Sequence, residues 1–169
     1  MPQLTALTIS ITVLAFIDTY LTATILPLPV WVTFVGWASF FACGGGTAGL
    51  VKSVVSNWIG VVIASCSLLV IAAAPGSPFV AALAVGIGSG AMIVVSGVPF
   101  LRYPPAIVFG FASLVSTVFG TGHRVTEISP NHPTLIAALA MLVGAGFGLA
   151  SEWLANALTT KPQVTSQTT

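Results

Sequence analysis

Apolar positions dominate this chain in long unbroken runs rather than in alternation. Nearly uncharged stretches fall at 4–26, 30–50, 58–74, 78–98, 104–120 and 134–158. About 20 apolar residues in helix cross a hydrocarbon core of about 30 Å, so each run predicts a membrane-spanning helix. Barrel strands would instead show alternating segments of about ten residues. Turn-forming residues separate the runs: Pro27-Leu28-Pro29 closes the first, Pro75-Gly76-Ser77-Pro78 divides the third from the fourth, and Pro104-Pro105 opens the fifth. The pattern predicts an all-α integral membrane protein of six transmembrane helices, one domain over residues 1–158, followed by a polar, disordered tail over 159–169. The first run lacks a positive leader and exceeds an apolar signal core of about 7–15 residues, which predicts a helix rather than a signal peptide.

A second pattern lies inside the first. At a displacement of 74 positions, Phe34-Val35-Gly36-Trp37-Ala38-Ser39-Phe40-Phe41 lies over Val108-Phe109-Gly110-Phe111-Ala112-Ser113-Leu114-Val115. The same displacement puts Gly46 on Gly120, Asn57 on Asn131 and Ala64 on Ala138. Two units of three helices are implied, about 1–74 and 75–158. An odd number of helices per unit inverts the second unit in the membrane, giving a 3+3 inverted repeat.

The repeated segments are also short and glycine-interrupted. The second is apolar from Val30 to Cys43 and then meets Gly44-Gly45-Gly46, leaving about 21 Å of helix, short of the bilayer core. The fifth runs from Pro104 to Phe119 before Gly120-Thr121-Gly122. Broken segments at matching places in two halves point to a midplane binding site. Gly36, Ser39, Gly110 and Ser113 are therefore expected along a solute pathway, with Phe34, Phe41 and Phe109 as rings able to narrow it. Close helix packing explains the same glycines, and each serine can bond its own helix instead. Asn57 and Asn131 are expected to cap the third and sixth helices. The stripes containing Gly86 and Gly90, and Gly144 and Gly148, are expected to bring helices close together.

Composition supports the membrane assignment and removes other classes. The chain is 56% hydrophobic and 4% charged, with a formal net charge of +1; a soluble domain carries about 25% charged residues. No basic cluster exists to bind nucleic acid. Cys43 and Cys66 lack metal-ligand spacing and read as packed thiols, and no catalytic motif is present. No metal, cofactor or enzymatic activity is expected. Asp18 is the one ionisable side chain within the first five spans. Such a charge costs about 2.5–3.5 kcal/mol near the bilayer centre. It is either an ion or proton site or a carboxyl near the outer interface, protonated or hydrogen-bonded to a threonine. Glu152 reads as an interfacial anchor beside Trp153, and His123, Arg124, Glu127 and His132 as a solvated vestibule. Lys52, Arg102 and Lys161 fall in loops on one side and Arg124 on the other, which favours both termini inside.

The block Phe34–Gly46, with Gly49, Leu50, Ser53, Asn57 and Gly60 after it, resembles a family of small bacterial inner-membrane proteins of unknown function that includes YcdZ. The likeness is densest over residues 30–62. It implies a bacterial inner membrane and no particular activity. In outline the arrangement is similar to aquaporin and formate-channel architectures, without the Asn-Pro-Ala boxes of the former. The expected function is a homo-oligomeric channel or facilitator for a small neutral or weakly charged solute such as water, urea, ammonia or a short organic acid. The alternatives are an ion- or proton-coupled transporter using Asp18, and a non-transporting membrane subunit. The lipid bilayer, further copies of the chain and a small solute are its expected partners.

Overall fold

A computed structural model describes residues 1–159, so the expected tail lies outside the described residues apart from Thr159. Six helices form: α1 (Gln3–Thr24), α2 (Val30–Ala42), α3 (Gly46–Ala73), α4 (Pro78–Val95), α5 (Pro104–Thr121) and α6 (Pro133–Leu158). A single 3-10 turn at Pro99–Leu101 leads into α5. Five of the helices are long and apolar enough to cross a bilayer; α2, with 13 residues, is the shorter sixth. Polarity is inverted relative to a soluble protein. Leu4, Phe16, Phe79, Ile87, Val94 and Phe119 stand exposed, whereas Ser10, Asp18, Thr33, Ser39, Ser53, Ser56, Asn57 and Thr117 are buried. This distribution suits a multi-pass chain whose solvent is lipid.

Three local details depart from the sequence expectations. The third helix starts at Gly46, well before Trp58, because Gly44, Gly45 and Gly46 take φ of 94°, 69° and 63° and reverse the chain within one turn. L side chains rarely adopt that backbone region, and three consecutive glycines make it cheap. Lys52, Ser53 and Asn57 consequently lie inside α3. Asn57 is a buried mid-helix residue and not a cap. Asn131 is exposed in the α5–α6 connection, and the cap of α6 is His132, whose ring accepts from the Thr134 N–H at 3.3 Å. The fifth helix is also unbroken: Gly120 sits within its last turn, and the chain turns only at Gly122, in the left-handed region.

Glycines set the distances between helices. A Cβ on Gly36 would strike the main chain of Met141, and one on Gly144 the main chain of Thr33 and Trp37, which fixes α2 on α6. On the other side, Gly60 faces the main chain of Ile107 and Phe111, and Gly110 that of Asn57, fixing α3 on α5. In each case a glycine Cα–H faces a carbonyl of the neighbouring helix, a weak attraction recurrent at close helix crossings. Gly148 lies against the Phe40 ring and Gly88 against Ser67 and Phe111. Gly86 and Gly90 meet nothing within 4 Å, which corrects the expectation that they pack: the α4 stripe turns Gly88 inward and its neighbours outward.

Packed pairs follow one scheme. Contacts join α2 to α6, α3 to α5, α1 to α6, α3 to α4, α2 to α3, α5 to α6, α1 to α2 and α4 to α5. Exchanging α1 with α4, α2 with α5 and α3 with α6 turns each of these pairs into another. Residue by residue, Gly36 and Gly110 correspond at the 74 displacement, as do Ser10 and Ala84 and Asp18 and Met92. Gly60 and Gly144 correspond at 84, because the α5–α6 connection is longer than the α2–α3 turn. The pairings of Asn57 with Asn131, Gly46 with Gly120 and Ala64 with Ala138 therefore fail in space.

Gly60→Val and Gly144→Val should each destabilise the fold by about 1–3 kcal/mol or more through overpacking. Gly86→Ala, in open space, should gain up to about 1 kcal/mol from helix propensity. Thermal melting of the purified protein in micelles checks both; equal melting temperatures for the three variants would contradict the assigned crossings.

Candidate functional site

The shortest helix is the most enclosed. Packed against α1, α3, α5 and α6, α2 buries Val32, Thr33, Gly36, Trp37, Ser39 and Phe40. Its polar side chains each reach a different helix. Thr33 bonds Asp18 of α1 at 2.5 Å, Trp37 donates its indole N–H to Ser151 of α6 at 3.1 Å, and Ser39 donates to Asn57 Oδ1 of α3 at 2.7 Å. Ser10 of α1 donates to the Ser151 carbonyl at 2.7 Å, completing a three-helix junction. Inside a membrane such bonds have no competing water, and each contributes about 0.6–1.7 kcal/mol.

Among the described residues, four buried polar side-chain atoms have no partner: Asp18 Oδ1, Ser56 Oγ, Asn57 Nδ2 and Ser113 Oγ. Leaving a buried donor or acceptor unpaired costs about 1–3 kcal/mol. Three of the four belong to α3 and α5, the helices that cross at Gly60 and Gly110. Ser56 and Asn57 are consecutive in α3, and Ser113 stands one helical turn beyond Gly110, which touches the Asn57 main chain. Asp18 is separate, deep in α1, and bonded to a threonine.

Of the expected pathway residues, the structure buries Gly36, Ser39, Gly110 and Ser113. Both glycines are filled by neighbouring main chain, whereas Ser39 bonds Asn57 and Ser113 has a buried hydroxyl without a partner. The rings do not converge. Phe34 is 39% exposed and stacks on Trp37, Phe41 is 39% exposed and meets Phe40 edge-on, and Phe109 packs against the apolar core. Sequence inspection missed Asn57 as a site residue, having placed it at a helix start. The signal was its spacing from Gly60, which sets both on the α3 face toward α5.

At the end holding the α2–α3 turn, Glu152 Oε2 accepts the Gly46 N–H at 2.6 Å, so a carboxylate from α6 caps α3. A cavity of about 290 Å³ opens there, lined by Gln3, Phe41, Gly44, Gly45, Glu152 and Asn156 among others. Lys52 donates to the Tyr103 hydroxyl at 2.9 Å, tying the starts of α3 and α5 at one end. At the opposite end Ser65 and Thr134 join α3 to the start of α6 at 3.0 Å. His132 faces the Val125 carbonyl at 3.1 Å within the α5–α6 connection, while Arg124 and Glu127 are exposed.

Glu152→Ala should cost about 1 kcal/mol as a lost cap, and Glu152→Gln less. Ser39→Ala should cost about 0.6–1.7 kcal/mol and leave Asn57 without a side-chain partner. Reversible unfolding in mixed micelles measures each; Glu152→Ala matching wild type would remove the capping role.

No curated protein matches the chain, and no solved structure does. The model of one family, described as a protein of unknown function (DUF1097), matches residues 8–156. Six apolar helices wrapped around a buried polar crossing are thus the architecture of a DUF1097 chain: the protein belongs to that family.

Proposed function

We propose that this protein is a membrane facilitator for a small neutral or weakly charged solute, which it contacts at the crossing of Ser39, Asn57 and Ser113. The observation that supports this reading is that Asn57 Nδ2, Ser56 Oγ and Ser113 Oγ are buried without partners on the two helices that cross at Gly60 and Gly110. A solute bearing a carbonyl or carboxyl oxygen would accept from Asn57 Nδ2 and from the hydroxyls. Urea and short organic acids fit that chemistry best within the expected range. The exchange scheme of packed pairs supports a 3+3 inverted repeat, in which a central site is shared by both halves. Alternating exposure then requires α2 and α5 to shift at their glycine crossings.

Transport rather than catalysis is the reading because the crossing gathers an amide and hydroxyls, with no acid and base poised together. A homo-oligomer is favoured by the open α4 face at Gly86 and Gly90. Lys52 lies at the end opposite Arg124, supporting termini in the cytoplasm, and the family resemblance supports a bacterial inner membrane.

The test is solute flux into liposomes holding the purified protein, followed by stopped-flow light scattering with water, urea, glycerol, formate and acetate. Selective flux above empty liposomes is expected. Replacing Ser39 and Ser113 together by Leu should abolish it, and Asn57→Leu should reduce it at least tenfold. Unchanged flux through a folded double variant would remove the proposed contact site, and no flux from folded wild type would remove the facilitator reading.

A further inference from the structure

The Asp18–Thr33 contact has a hydrogen too few if Asp18 is ionised. Thr33 Oγ1 lies 2.7 Å from the Val30 carbonyl oxygen and 2.5 Å from Asp18 Oδ2. A hydroxyl carries one hydrogen, and neither a carbonyl nor a carboxylate brings another. With a proton on Asp18 both contacts are satisfied in sequence: the carboxyl O–H donates to Thr33 Oγ1, and the Thr33 O–H donates to the Val30 carbonyl.

The surroundings agree. Asp18 is fully buried, and its Oδ1 has no partner. The elements packed against α1 are α2 and α6, and neither contains a lysine or arginine. The titratable groups on these elements are accounted for elsewhere. Cys43 ends α2 and is buried, Glu152 of α6 bonds Gly46, and His132 caps the start of α6. On α1 itself Tyr20 is exposed and stacks on Phe16. A buried carboxylate with no counter-cation is the arrangement proteins avoid by holding a proton. Two carboxyl oxygens and one hydroxyl are also too few for a hard metal cation, which takes about six oxygens.

We propose that Asp18 and Thr33 form a proton-binding site, and that the bound proton latches α1 onto α2. Losing the proton leaves a carboxylate that water must reach, so α1 parts from α2 when Asp18 ionises. The proposal adds a regulatory proton to the facilitator reading above and rests on that reading only where flux is concerned. The other half lacks the device: Met92 and Ile107 occupy the corresponding positions, both buried and apolar.

Asp18 is the sole aspartate of the chain, so a carboxyl-13C aspartate label reports on this group alone. Isotope-edited infrared spectra of the full chain in liposomes should show a protonated carboxyl at pH 7. Thr33→Val should shift that band by removing its hydrogen-bond partner. A carboxylate signal at pH 7 in wild type, or a band unmoved in folded Thr33→Val, overturns the site. In the flux assay, wild type should change rate over the pH range in which the labelled carboxyl ionises, and Asp18→Asn should be flat. Unaltered pH dependence in Asp18→Asn overturns the latch. Absence of flux in wild type would count against the facilitator reading alone, because the spectroscopic result stands without it.

Discussion

Main chain meeting main chain is the condition on which the rest of this molecule depends. Lipid is as apolar as leucine, so burying leucine between helices yields little, and association must come from close approach and polar bonds. Gly36, Gly60, Gly110 and Gly144 make that approach possible by leaving the space of a side chain to the neighbouring backbone. Once the helices are this close, short polar side chains can span the gap. Ser39 reaches Asn57, Thr33 reaches Asp18, and Trp37 reaches Ser151 without long flexible arms. The same closeness shields their polar atoms from water and makes each unpaired one costly.

The two halves share this framework and divide the chemistry unequally. Gly36 and Gly110 hold equivalent places, as do Gly60 and Gly144 and the serines Ser39 and Ser113. Yet Asp18, Thr33 and Asn57 stand where the second half has Met92, Ile107 and Met141. Ser39 bonds the Asn57 amide, while Ser113 keeps an unpartnered hydroxyl. Backbone contact is thus alike in the two halves, while the buried side-chain polarity is concentrated in the first.

Much of this was legible in the chain. Span number follows from hydropathy because a bilayer sets a minimum length for apolar helix, and prolines mark most of the ends. The Gly-aromatic-Ala-Ser block was visible because close crossings tolerate so few residue types. What escaped has physical causes. Lys52 looked like a loop residue, but near a membrane surface its long chain reaches Tyr103 while the helix continues beneath it. The correspondence of α3 with α6 was hidden by a longer connection, which moves the displacement from 74 to 84 without disturbing any contact. Inward and outward glycines of α4 look identical in sequence, since orientation depends on which face α3 covers. Asp18 was visible as an anomaly, but its partner Thr33 lies on another helix and only folding brings them together.

A crossing built on a glycine Cα also has a mechanical character. Helices held by interlocked side chains resist turning, because ridges must climb out of grooves. Two helices whose backbones meet at a pair of glycines have no ridge there to climb, so a small swivel about that point would keep their separation. Gly36 with Gly144, and Gly110 with Gly60, thus set two matched contact points of low rotational resistance between α2 and α6 and between α5 and α3. Small rotations about them would displace the ends of α2 and α5 most and the polar crossing least.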